Sequence, residues 1–226
     1  MTEGADGDGC TWESLPLLAA QEELLVERVI APEIARARGV FSAHDPAQLE
    51  ALGFAPSQRL IPSLVIPVHD LDGNRVGVYA RPRDPRNGDR GKPIKYEWPA
   101  RHHLRLDVPR GIRAQVRDAS IPLWVTEGPL KADAAVSRGL CCVALPGVWG
   151  FLGNEDIVAD WKRIPLSSGK VPRRVYIAFD SDVMQKIEVH RALARLRQML
   201  LNAGADVFIV HLAYLLPEDK HAEIGT

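Results

Sequence analysis

Apolar positions over the first fifty or so residues recur with a helical period. They predict a helix over 15–28 and a second one opened by Pro32 and running to Arg38, with Gly39 ending it. A third helix follows, with Asp45 as N-cap, Pro46 as first helical residue and Gly53 as the stop. The period then falls from 3.6 to 2. Residues 64–68 and 75–80 read as strands on either side of 69–74, where Asp72-Gly73 is a hairpin turn signal. A polar loop over 82–93 leads to a further short strand at 94–98. After Ser120, strand candidates at 123–126, 141–145, 175–179 and 207–212 alternate with helix candidates at 129–138, 155–163 and 183–203. The last helix carries one stripe of Val189, Ala192, Leu193, Leu196, Met199 and Leu200, with Gly204 at its C′ position. Such alternation predicts an α/β fold, a mostly parallel four-stranded sheet flanked by helices and preceded by a smaller α+β unit. The expected organisation is a disordered Gly- and Asp-rich tail over 1–14, an α+β subdomain over 15–119 and an α/β domain over 120–226.

Composition alters this picture little. With 226 residues, 46% hydrophobic and 25% charged, the chain has the values of a soluble globular protein. No apolar run approaches the ~18 residues of a membrane span, and the acidic start lacks the basic flank of a signal peptide. The expected location is the cytoplasm, with no membrane partner. Cys10, Cys141 and Cys142 make neither a disulfide framework nor a Cys-x-x-Cys zinc pair, and read as reduced core thiols. Charge is more informative, because the net value of -1 conceals a division along the chain. Residues 1–60 hold ten acids against four arginines, whereas residues 75–117 hold twelve bases against four acids. A basic block of this kind is suited to a polyanion whose phosphates it can pair; a solvated surface without a partner is the alternative.

In a doubly wound sheet, ligands sit beyond the carboxyl ends of the strands where strand order reverses. Glu127 directly follows the first predicted strand of the α/β half, and Asp180-Ser181-Asp182 follow the third. If the second strand pairs on one side of the first and the third on the other, these acids face each other across the crevice. Three converging carboxylates repel unless a cation lies among them, and hard oxygen ligands suit Mg²⁺ or Mn²⁺. Metal-assisted phosphoryl transfer is the implied reaction class. Helix capping is the alternative reading of Asp180 and Asp182. Lys131, one helical turn past Glu127, reads as a phosphate contact, a neutraliser of the acids, or an exposed helix lysine. Ser167-Ser168-Gly169-Lys170 lacks the spacing of a phosphate loop and reads as a turn. His102-His103 reads as a phosphate or base contact or as a solvent-facing pair in a basic loop, and Trp149 with Phe151 as either a stacking platform for bases or core.

Glu127-Gly128 after an apolar strand, with Asp180-Ser181-Asp182 further on, resembles the Toprim signature of bacterial primases, topoisomerases, old-type nucleases and recombination mediators. The upstream half is similar to the bacterial primase polymerase core. Arg38-Gly39-Val40 and Leu52-Gly53-Phe54-Ala55-Pro56 resemble its helical lead-in, and Ile66-Pro67-Val68 with Asp72-Gly73 its hairpin. Arg81 stands where that hairpin ends, and Lys95-Tyr96 resembles its Lys-Tyr segment. Residues 124–148, including Lys131, and the run Leu145-Pro146-Gly147-Val148-Trp149 look like a primase-like Toprim family carried by phages, plasmids and integrated elements.

The resemblance implies a Toprim-like, Rossmann-like sheet and a primase-like nucleotidyltransferase that makes short RNA primers for a mobile-element or phage replication system. Its partners would be single-stranded DNA template, nucleoside triphosphates and a replicative helicase. Glu127, Asp180 and Asp182 would hold Mg²⁺ or Mn²⁺ with Lys131 at the catalytic centre, and Arg81, Arg83, Lys95 and Tyr96 would grip template or incoming triphosphate. A Toprim nuclease and an inactive nucleic-acid-binding module are the alternatives. The chain departs from cellular primases in having Lys131 where they carry an acid, and in lacking their zinc module and helicase-binding tail. A further acidic cluster after the last strand is also missing, which leads us to expect a domain truncated at its end.

Overall fold

A computed structural model describes residues 16–88, 91–99, 105–152, 159–179 and 187–210. By internal contacts the chain forms two compact units, one of Met1–Val68 and Arg75–His102, the other of His69–Asn74 and His103–Thr226. The second unit thus takes in the hairpin turn and 103–119, residues that the sequence pattern groups with the amino-terminal half. Cys10, Arg90, Arg101, His102, His103, the tail over 1–14 and the segment 211–226 lie outside the described residues.

The first unit opens with α1 (Ala19–Glu27) and α2 (Pro32–Arg38). Pro32 sits in the first turn of α2, where a missing N–H costs nothing. The helix stops at Gly39, whose φ of 74° is a left-handed conformation that a Cβ would penalise. In α3 (Pro46–Ala51), the Asp45 carboxylate accepts from Ala47 N at 2.8 Å and Gln48 Oε1 accepts from Asp45 N at 3.0 Å, satisfying donors that the helix start leaves free. Between these helices lies β1 (Phe41–Ala43), which pairs antiparallel with β2 (Ser63–His69), Phe41 opposite Val65. The sheet order is β1-β2-β3, with β3 spanning Arg75–Pro82. Val65, Val78 and Ala80 close a core with Phe41, Ala43, Leu49 and Phe54, leaving Gly77, Tyr79 and Arg81 on the opposite face of β3. The strand expected at 94–98 does not form. Only single bridges occur, Ala80 with Glu97 and Asn87 with Pro93. Pro93 has no N–H to extend a ladder, and Ile94 N is taken by Arg86 O at 2.8 Å.

The second unit begins with a 3₁₀ turn (Arg110–Ile112) leading into α4 (Arg113–Val116). Then follow β4 (Leu123–Glu127), α5 (Pro129–Val136) and β5 (Cys142–Leu145). The helix expected over 155–163 is a 3₁₀ turn, Ala159–Arg163, in its described part. Ser167-Ser168-Gly169-Lys170 belongs to a small hairpin of β6 (Ser167–Ser168) and β7 (Val171–Pro172). The chain continues with β8 (Arg174–Ile177), α6 (Ile187–Asn202) and β9 (Asp206–Ile209). Strand order is β5-β4-β8-β9 and every pair is parallel. The second strand therefore lies on one side of the first and the third on the other, so strand order reverses between β4 and β8. Ala192, Leu193, Leu196 and Leu200 form the buried stripe of α6.

Cys141 and Cys142 are buried free thiols. Burial pushes Cys141 up to about 11, against a weaker downward pull from Arg173, and pushes Cys142 higher still. Phe151 is fully buried and Trp149 is 40% exposed, so Phe151 belongs to the core. Among the described residues, no helix is long and apolar enough to cross a membrane.

Candidate active site and nucleic-acid interface

Glu127 is the last residue of β4, in register with Leu145 of β5. On the other side, β4 runs beside β8 from Leu123 opposite Val175 to Val125 opposite Ile177. Both strands thus point their carboxyl ends the same way, to the edge at which doubly wound sheets bind ligands. Gly128 follows as the N-cap residue of α5, its N–H donating to Leu145 O at 3.0 Å, with Pro129 at the helix start. Glu127 consequently sits beside a helix amino terminus, where negative charge is favoured. One turn into α5, Lys131 Nζ stands 3.5 Å from Glu127 Oε1, with the two side chains 35% and 21% exposed. Asp180 and Asp182 come directly after the described stretch that ends at Phe179 and lie outside it. Among the described residues, no three His, Cys, Asp or Glu side chains gather as a metal cage.

The second unit also contains buried carboxylates outside the acidic centre that the sequence pattern predicts. Asp107 and Asp133 are 2% and 1% exposed. Asp107 exchanges backbone hydrogen bonds with Ala144 of β5, both at 2.9 Å, while its carboxylate accepts from His69 N at 3.2 Å. Asp133 lies among Leu130, Ala132 and Val136 on the buried side of α5, and an acid within that apolar stripe was the signal available for it. A third group clamps the turn 69–74. Arg105 forms a bidentate pair with buried Asp160, both bonds 2.9 Å, and lies 3.8 Å from Asp70. Asp72 receives Arg117 at 2.7 Å and Arg163 at 2.8 Å, and its carbonyl accepts from Arg113.

In the first unit, Arg81 and Tyr96 come together, the guanidinium carbon 5.3 Å from the ring centroid. This is a cation–π distance. Arg81 Nη1 is buried with no hydrogen-bond partner among the described residues. Around the pair, Tyr79 meets Tyr96 edge-on at 6.3 Å and Trp98 at 4.4 Å. Gly77 makes room for the indole, since a Cβ there would lie 2.6 Å from Trp98 Cη2. Lys95 is exposed. Arg83 is also exposed and pairs with its neighbour Asp84 at 3.1 Å.

The basic block therefore divides. Arg86, Arg105 and Arg117 are engaged with carboxylates of their own units. Arg75, Arg81, Lys92 and Lys95 have no ion pair among the described residues. Unpaired cations are the ones free to exchange counterions for phosphates.

A family model described as a domain of unknown function, DUF3854, matches residues 113–220. No curated protein matches the chain. Among solved structures, the Aquifex aeolicus primase zinc-binding and RNA polymerase domains are 18% identical with a TM-score of 0.58, covering 90% of this chain and 52% of that one. The chain thus spans about half the length of that protein. A DnaG catalytic core is 15% identical with a TM-score of 0.60, covering 92% of this chain and 69% of that one. A DnaG primase catalytic domain described as bound to ssDNA is 16% identical with a TM-score of 0.58, covering 92% and 68%. At these identities the likeness shows the fold, which is that of bacterial primase catalytic cores with their Toprim-type sheet.

Proposed function

We propose that this chain is a primase-like nucleotidyltransferase that joins ribonucleotides on a single-stranded DNA template. Glu127, Asp180 and Asp182 hold Mg²⁺ or Mn²⁺, Lys131 stands beside them, and Arg81, Arg83, Lys95 and Tyr96 grip template or incoming triphosphate. The observation that carries the reading is the order β5-β4-β8-β9, with Glu127 ending the strand next to the one whose sequence runs on into Asp180. The fold shared with primase cores, one of them described as bound to ssDNA, supports the same class of chemistry.

Glu127, the described member of the set, suits a hard divalent cation. Glu127 is partly open, and its carboxylate has only the Lys131 ammonium as a partner among the described residues, at 3.5 Å. At that separation the contact is an ion pair without a hydrogen bond, so a cation with oxygen-ligand preference can compete for the carboxylate. When bound, such an ion supplies Lewis-acid stabilisation to phosphate oxygens and lowers the pKa of an attacking hydroxyl. The chain's own residues do the remaining work. Lys131 offsets negative charge as a triphosphate approaches Glu127. Arg81 offers the open part of its guanidinium to a phosphate oxygen while the Tyr96 ring, 5.3 Å from its carbon, holds it in place. Lys95 and Arg83 add charge at the exposed side. The reaction is then in-line attack of a 3′-hydroxyl on the α-phosphorus: the new P–O bond forms as the bond to the bridging α–β oxygen breaks, pyrophosphate leaves and the hydroxyl proton passes to solvent, all carried by positioning and charge neutralisation.

The test is incubation of wild type and Glu127→Gln with labelled nucleoside triphosphates, single-stranded DNA and Mg²⁺ or Mn²⁺, with products resolved by size. Template-dependent extension by wild type and none by Glu127→Gln is expected. Shortening of the DNA would instead identify a nuclease, and neither product would identify a binding module.

A further inference from the structure

We propose that Glu97 is a positioning residue for the Arg81–Tyr96 pair, an inference that rests on the reading of Arg81, Lys95 and Tyr96 as ligand-gripping groups. Segment 94–98 has almost no ladder to hold it. Its only bridge to β3 is Ala80 with Glu97, closed by Ala80 N to Glu97 O at 3.1 Å and Glu97 N to Ala80 O at 2.8 Å. In an antiparallel bridge the residue after Ala80 stands opposite the residue before Glu97. That single contact therefore sets Arg81 against Tyr96.

The Glu97 side chain supplies what the missing ladder does not. It is 2% exposed, and a buried carboxylate is strongly unfavourable unless paired and hydrogen-bonded. Arg86 meets both of its oxygens, Nε to Oε1 at 2.6 Å and Nη2 to Oε2 at 3.0 Å, and Gln58 Nε2 donates to Oε2 at 3.0 Å. Gln58 is itself held, since Nε2 also donates to Trp98 O at 2.9 Å and Oε1 accepts from Ala55 N at 3.0 Å. The network ties the 3₁₀ turn Pro56–Gln58, the 82–93 loop and the 94–98 segment at one carboxylate. Glu97 pairs with Ala80, which faces the core, whereas Tyr96 and Trp98 lie beside Tyr79 and Arg81 on the other face. Glu97 thus acts on a ligand only through the register it imposes. Charge-assisted, bidentate geometry makes that register stiff, and a stiff Tyr96 ring holds Arg81 ready for an anion without ordering it at binding.

The probe is a fluorescein-labelled single-stranded oligodeoxynucleotide of mixed sequence, with affinity read by anisotropy at fixed salt and folding by far-UV circular dichroism. Glu97→Gln keeps the size but weakens the pairing with Arg86, and is expected to reduce affinity about tenfold. Arg81→Ala should also weaken binding. In the Arg81→Ala background, Glu97→Gln should add less than about twofold, because its effect passes through Arg81. Gln58→Ala removes a neutral donor without stranding a charge; it decides the matter if Glu97→Gln does not fold, and its loss of affinity should likewise vanish in the Arg81→Ala background. A folded Glu97→Gln, or failing it Gln58→Ala, that binds like wild type would overturn the inference, as would an undiminished loss on top of Arg81→Ala. If Arg81→Ala and Tyr96→Ala bind like wild type, the reading of the site itself fails and takes the inference with it. If they weaken binding and the Glu97 and Gln58 variants do not, the inference alone fails.

Discussion

Arg173→Met removes a buried cation at the start of the strand that borders β4. Arg173 is 1% exposed and directly precedes β8. Its guanidinium donates to four backbone carbonyls, those of Val116 at 2.7 Å, Ile121 at 2.8 Å, Gln115 at 3.0 Å and Pro165 at 3.1 Å. Gln115 and Val116 close α4, where carbonyls lack intrahelical partners and a cation is favoured. The Arg173 backbone bonds Leu166 O and Asp206 N, both at 2.8 Å, so the same residue sets how β8 begins beside β9. Two effects oppose one another on substitution. Burial holds the Arg173 pKa below its ordinary range, so losing the charge relieves a desolvation cost. The carbonyls of Val116, Ile121 and Pro165, however, lose their donor, at about 1–3 kcal/mol for each that stays dry, while Gln115 O keeps the Asp118 N–H at 3.1 Å. Methionine keeps most of the stem, so a cavity contributes little. The carbonyls outweigh the relief, and the expected net loss is about 3–5 kcal/mol, as when one partner of a buried charged network is removed. For a chain of this size that lowers Tm by about 10 °C. Far-UV circular dichroism melts and urea titrations measure it. A Tm equal to or above wild type would mean that the carbonyls repay less than the guanidinium's desolvation, and the argument would be refuted.

Other expectations concern single residues. Asp160→Asn leaves Arg105 without its bidentate carboxylate and should cost about 2–4 kcal/mol in urea unfolding; an unchanged midpoint would count against the clamp on the turn. Burial raises the Asp70 carboxyl, but N–H groups of Asn74 and Asp72, the Asn74 amide and Arg105 more than offset this and hold it below its ordinary value. Its contribution is therefore present above the unfolded value of about 4 and is lost as pH falls through the lower folded value. The acid limb of stability should flatten in Asp70→Asn, and identical limbs in both proteins would contradict the assignment. Cys141 and Cys142 should resist iodoacetamide at pH 8 until the protein unfolds, with labelling located by mass spectrometry; rapid native labelling of either would contradict their burial. Single-stranded DNA affinity should fall steeply with salt, and Arg81→Ala or Lys95→Ala should weaken different sequences about equally, whereas salt-independent anisotropy would exclude phosphate contacts.

Local chemistry made much of this fold legible from sequence. Asp45-Pro46 announced α3 because capping and a free first-turn N–H are short-range effects, and Gly39 announced the end of α2 for the same reason. The alternation after Ser120 gave the parallel sheet, and the conditional pairing that put the second and third strands on either side of the first is the one observed. β1 escaped because three residues, all buried, carry no periodicity to read. The residue types of 94–98 suit a strand, but partners for its N–H groups are decided by distant atoms. Long-range chemistry was least visible. Glu97 and Arg173 look in sequence like members of a charged surface, and only their partners reveal a buried hub and a carbonyl clamp. Twelve bases over 75–117 likewise suggested one uniform footprint. Acids at 72, 97 and 160 engage several of them, which sequence distance conceals.

The central claim is that Glu127, Asp180 and Asp182 bind a divalent metal for catalysis, and calorimetric titration of Mn²⁺ into wild type, Glu127→Gln and Asp180→Asn tests it most directly. Converging carboxylates disfavour one another's ionisation, and a cation relieves that repulsion. Asparagine keeps the size of Asp180 and most of its capping ability while removing charge. Both variants should therefore match or slightly exceed the thermal stability of metal-free wild type, yet release no binding heat where wild type shows a saturable isotherm. Equal heats from all three proteins would show that these acids are structural, and the catalytic assignment would be wrong.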